Sequence, residues 1–167
     1  TPAPWRMVMA ALRSRDVGEA LAERSGEHVP IAREMLLLPF EEASIRKDTK
    51  TGKEYLLSAD LPWIGVRTND PEGAHVALLA RVANPVGVKL GPNTTPELVA
   101  ALKATLNPES TPGRLTFMMR MGLGNTQVMD STLEAIAQHA PEAGILFDTH
   151  GATQEELDQA TGETVKV

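Results

Sequence analysis

Between residues 85 and 147 the sequence alternates short β-branched runs with longer amphipathic stretches, and this restricts the chain more than any other feature. Pro85-Val86-Gly87-Val88-Lys89-Leu90 reads as a buried strand, ended by Gly91-Pro92-Asn93. Thr95 then caps a helix that opens on Pro96, carries Glu97 in its first turn and places Leu98, Leu102 and Leu106 on one stripe. A loop over 107–113 leads to a second strand over 114–121, closed by Gly122 and Gly124. A helix capped by Thr126 or Asp130 runs through Gln138, Pro141 and Gly144 break it, and Ile145-Leu146-Phe147 forms a third strand. Strand, helix, strand, helix, strand predicts parallel βα units in an α/β fold.

Upstream the pattern differs. Trp5, Val8, Met9, Leu12 and Leu21 fall near one stripe and predict a helix over 5–23, which Gly26 ends. A second helix is expected over 31–46, kinked or split at Pro39. Residues 48–53 read as a polar turn, 61–65 as a short buried strand or the opening of a loop, and 75–82 as a short amphipathic helix. Residues 154–159 are expected to add a helical turn or two. The chain therefore divides into an N-terminal helical segment over 1–56 and a βα part over 57–167.

Composition narrows the function classes. The chain has 167 residues and no cysteine, which excludes disulfides, thiolate metal ligands and cysteine nucleophiles. With aromatics at 4%, aliphatic residues and methionines such as Met118, Met119 and Met121 must fill the core. The net charge of −6 argues against nucleic acid as a partner. No apolar run reaches the about 18 residues of a membrane span, and no secretory signal is visible. These features fit a cytoplasmic protein with no membrane partner.

Parallel βα folds bind ligands at the C-terminal ends of their strands. Lys89 lies at the end of the first run, Arg120 at the end of the second, and Asp148 and His150 follow the third, while Arg67 follows Trp63-Ile64-Gly65 upstream. Taken singly, each cation reads as a solvated residue and His150 as a hydrogen-bonded structural histidine. His28, His75 and His139 read as surface or helix residues, and Asp16, Glu19 and Glu23 as a solvated helix face. Taken together, three cations and an imidazole around one mouth suit a phosphorylated or carboxylated small molecule, which Arg grips with two parallel hydrogen bonds and Lys as a point charge.

The same residues carry a resemblance. The run from Ala83 to Asn93, then Thr95-Pro96-Glu97-Leu98, Leu106-Asn107-Pro108, Pro112-Gly113-Arg114-Leu115-Thr116 and Arg120-Met121-Gly122, resembles the class II 3-deoxy-D-arabino-heptulosonate 7-phosphate (DAHP) synthases. Upstream, Ser58-Ala59, Trp63-Ile64-Gly65, Arg67-Thr68 and Gly73-Ala74-His75-Val76 are similar in order and spacing.

The resemblance implies part of a (β/α)₈ TIM barrel and an aldol condensation of phosphoenolpyruvate with erythrose 4-phosphate in the shikimate pathway. It implies that Arg67, Lys89 and Arg120 bind the phosphate and carboxylate of phosphoenolpyruvate. It further implies that His150 binds a divalent metal (Mn, Co or Zn) acting as a Lewis acid. The family's cysteine metal ligand has no counterpart here, and Val66 stands where the family carries an acid. A complete barrel takes about 250 residues, so the expectation is a truncated or reduced member. It would be a homo-oligomer, and the alternative is a metal-free relative that binds such a metabolite or supports a partner enzyme.

Overall fold

The computed structural model describes residues 4–122 and 124–148. The chain opens with α1 (Pro4–Ser25), then β1 (Ala32–Glu34), α2 (Leu38–Ala43) and an antiparallel ribbon of β2 (Ile45–Lys47) and β3 (Glu54–Leu56). Next come β4 (Leu61–Ile64), α3 (Ala74–Arg81), β5 (Val86–Leu90), α4 (Pro96–Leu106), β6 (Leu115–Met119), α5 (Thr126–His139) and β7 (Gly144–Phe147). One five-stranded sheet has the order β1-β4-β5-β6-β7, and every pairing in it is parallel. Each crossover thus steps one strand further in the same direction. Because such crossovers are right-handed, the helices collect on one face. This is the winding of a partial barrel, as the sequence predicts.

Local chemistry explains the elements. Thr95 takes an extended backbone, its hydroxyl oxygen accepts the Leu98 N–H at 3.3 Å, and Pro96 opens α4 without an N–H to strand. The hydrogen bond from its own N–H, helped by Thr95, holds the Glu97 carboxyl below its ordinary range. In the ribbon turn Asp48 accepts from Lys50 N, Thr51 N and Thr51 Oγ1, while Gly52 supplies a φ of 71°.

Strand alternation sorts the two faces. Val86, Val88 and Leu90 of β5 and Leu115, Phe117 and Met119 of β6 join the core built with Val76, Leu79, Val99, Leu102, Leu106 and Ile136. The intervening residues Trp63, Gly87, Lys89, Thr116 and Met118 line the opposite face. A Cβ on Gly87 would stand 2.8 Å from Trp63 Cβ and 2.7 Å from Met118 Cε. The methionine end can swing away but the tryptophan Cβ cannot. Gly87→Ala should therefore cost about 1–3 kcal/mol by overpacking, read as a lowered thermal midpoint.

The expected helix over 31–46 is corrected. Ala32, Arg33 and Glu34 pair with Leu61, Pro62 and Trp63, and Pro39 lies in the first turn of the six-residue α2. Sheet pairing outweighs local helix preference here, and a proline at a helix start is favourable. The segment is locked by a buried ion pair. Arg33 Nη1 and Nη2 donate to Glu41 Oε1 and Oε2 at 2.8 and 2.5 Å, and Ser58 Oγ donates to Oε2 at 2.9 Å.

At the N-terminal end of the sheet, Asn84 and Arg114 serve the backbone. The Asn84 amide brackets Leu56 N, Leu56 O and Ala59 O at 2.8, 3.0 and 3.1 Å. Arg114 donates to the carbonyls of Leu79, Asn84 and Leu106, and its burial pushes its pKa below the ordinary arginine value. Satisfying buried carbonyls is a structural task, so this arginine differs in kind from the strand-end cations.

Candidate functional site

The opposite, C-terminal end of the sheet carries Lys89, Arg120, Arg67 and Asp148. Lys89 is the penultimate residue of β5, and its register partner on β6 is Met118. Its ammonium lies 4.4 Å from the centre of the Trp63 ring and 2.8 Å from Asp148 Oδ2. Asp148 follows β7 directly, and its N–H extends the pairing by donating to Met119 O at 2.9 Å. The Lys89 and Asp148 side chains are 18% and 14% exposed. Water therefore screens the pair weakly, and the cation–π contact adds to it.

Arg120 is one residue past β6, anchored by its N–H to Leu90 O at 2.8 Å, and its side chain is exposed. Arg67 is exposed on the turn after β4, where the Thr68 N–H and hydroxyl both donate to Gly65 O. That turn is fastened to β5 by Asn69, which is 7% exposed and donates from Nδ2 to Lys89 O at 3.0 Å. Neither arginine side chain pairs with a described residue. The structure thus brings Lys89, Arg120 and Arg67 to adjacent strand ends. His150 lies outside the described residues.

The surroundings fix the shape of this edge. Gly91 follows β5, and a Cβ there would meet Val66 Cγ2 and Cγ1 at 3.1 and 3.2 Å. The glycine therefore lets Val66 close over the strand end. Gly91 N donates to Thr94 Oγ1 at 3.1 Å, which holds the turn into α4. Glu34, at the end of β1, brings its Oε1 within 2.7 Å of where a Gly65 Cβ would lie. Trp63, Asn69 and the acids Asp148 and Glu34 thus belong to the site's setting. The sequence places Trp63 and Asp148 in motifs but carries no sign that they meet at Lys89. A buried asparagine such as Asn69 gives no sequence signal at all.

A divalent metal, expected from the resemblance, needs a donor set. Among the described residues no group of three or more His, Asp or Glu side chains could hold one, and the chain has no cysteine. Asp148, the acid at Lys89, is already paired with its ammonium. The described residues do not fit such an ion. A separate cavity of about 560 Å³, lined by residues including Leu12, Phe40, Tyr55 and Leu57, shares no lining residue with the strand-end cluster. Among the described residues no helix is long and apolar enough to cross a membrane.

Residues 11–164 match the Class-II DAHP synthetase family. The chain is 41% identical over 126 residues to a phospho-2-dehydro-3-deoxyheptonate aldolase of Streptomyces coelicolor, covering 73% of this chain and 28% of that one. It is 47% identical over 89 residues to a probable enzyme of the same name from Pseudomonas fluorescens, covering 53% and 22%. It is 44% identical over 95 residues to a probable chloroplastic one from Catharanthus roseus, covering 57% and 19%. The matches therefore span between 19% and 28% of these relatives' lengths.

Proposed function

The chain belongs to the Class-II DAHP synthetase family, and on that premise we propose that its strand-end cluster binds phosphoenolpyruvate for a DAHP-synthase-like condensation with erythrose 4-phosphate. Lys89 is the centre of the site, and Arg120 and Arg67 flank it. The observation that carries this reading is the contrast among the three cations. Lys89 is partly buried and held over Trp63, whereas both arginines are exposed with their forks uncommitted to any described residue. A fixed point charge beside two available forks suits a ligand with two anionic groups. Each fork can take a carboxylate or phosphate through paired hydrogen bonds while the ammonium sits between.

In the reaction these residues would bind and orient. They would neutralise the ligand's charges, so that its enol carbon can approach a sugar-phosphate aldehyde without repulsion between two anionic substrates. His150 follows β7 in chain order and is proposed as a ligand should a metal bind. The fold's strand ends would be the shared floor of an oligomer or of a longer barrel.

A specific observation favours a second reading. The missing cysteine and the poor donor set among the described residues suit a metal-free relative that binds a phosphorylated or carboxylated metabolite without turning it over. Calorimetric titration with phosphoenolpyruvate tests the shared part. Arg120→Ala should weaken binding about tenfold, the worth of one charge-assisted contact, and an unchanged affinity would remove Arg120 from the site. Loss of phosphoenolpyruvate only when erythrose 4-phosphate is added would establish the enzyme. Binding without such loss, with and without added Mn²⁺, would establish the second reading.

A further inference from the structure

We propose that Asp148 is a built-in competitor for the ligand, a carboxylate that holds the Lys89 ammonium until an incoming carboxylate or phosphate exchanges with it. The inference rests on the reading of the site given above and adds an element that sets its affinity. The ammonium has three donors. One is bonded to Asp148 Oδ2 at 2.8 Å, and the Trp63 ring covers another side at 4.4 Å. On β6, the register partner Met118 is buried and offers no oxygen acceptor. A ligand oxygen therefore meets an ammonium already paired with an acid.

Asp148 cannot move far from this place. Its own N–H is bonded to Met119 O at 2.9 Å, which makes it an extension of the parallel sheet. The carboxylate is thus delivered to Lys89 by backbone register across 59 positions of chain. With both side chains less than a fifth exposed, water does not readily take the place of either partner. The carboxylate of Asp148 and the anionic oxygens of a ligand share one chemistry and one cation. The bond to Asp148 is lost, or weakened, in proportion as the ligand is gained. Among the described residues the exposed arginines pair with no acid, and Lys89 alone of the three cations carries such a competitor.

The test compares Asp148→Asn with Glu72→Gln, which removes the same charge from an exposed position on the loop before α3. The full chain is titrated with inorganic phosphate and with phosphoenolpyruvate, in chelator and at high salt to suppress long-range fields. Asp148→Asn should bind both about tenfold tighter, with Glu72→Gln at the wild-type value. Unchanged or weaker binding in Asp148→Asn, or equal tightening in both variants, would overturn the proposal. Asp148→Ser gives the same comparison should the asparagine variant not fold, as judged by thermal melting. A Lys89→Ala chain that binds as well as wild type would instead remove the site itself, which separates failure of the site from failure of the competitor.

Discussion

Arg33→Ala should lower the unfolding free energy by about 3–5 kcal/mol, measured by urea or guanidinium denaturation. The reason lies in what the substitution leaves behind. Glu41 is 0% exposed, and its two oxygens take both guanidinium nitrogens and the Ser58 hydroxyl. Without Arg33 a buried carboxylate keeps a single hydroxyl donor among the described contacts. Leaving a buried carboxylate without its cation carries the cost. The same guanidinium lies 5.3 Å from the Phe40 ring centre, so packing is lost as well. The pair joins β1, α2 and the loop before β4, so its loss should loosen the edge of the parallel sheet. Replacing both partners with apolar residues, Arg33→Met with Glu41→Leu, should recover most of the loss, because no buried charge then remains. A single variant as stable as wild type would show that the segment does not depend on the pair.

Lys89→Ala should weaken phosphoenolpyruvate binding about 100-fold, or about 2.7 kcal/mol. Two effects act in the same direction. The central charge-assisted hydrogen bond is lost, and the Asp148 carboxylate then faces the ligand without the ammonium between them. The second effect is like-charge repulsion in a weakly screened place. Lys89→Ala combined with Asp148→Asn should relieve the repulsion yet leave the contact missing. The double variant should therefore bind better than Lys89→Ala and worse than wild type. Wild-type affinity in Lys89→Ala would contradict the assignment of this residue.

These two residues mark what could be read from the sequence. The units from β5 to β7 carry their own local signals. Thr95 and Pro96 open α4, glycines close the strands, and the observed Val86–Leu90 and Pro96–Leu106 fall where the alternation puts them. The segment around Arg33 carries none. Ala32–Glu34 becomes a strand only because Leu61–Trp63 is available to pair with it, and Pro39 looks the same in sequence whether it starts a short helix or kinks a long one. Long-range pairing, invisible to a local window, decides that stretch. The site divides in the same way. Lys89, Arg120 and Arg67 are legible because parallel βα units place strand-end residues at one edge. The Trp63 ring beside the ammonium, the Asn69 fastening and the Asp148 partner depend on register between strands, which residue spacing does not reveal.

Lys89 is proposed as the anchoring cation of an anion site at the strand ends. A crystal structure of the full chain grown with phosphoenolpyruvate tests it most directly. The ligand should lie at the C-terminal end of β5, with a carboxylate or phosphate oxygen about 2.8 Å from Lys89 Nζ and Arg120 turned toward it. A ligand bound at any other place, with Lys89 untouched, would contradict this role of Lys89.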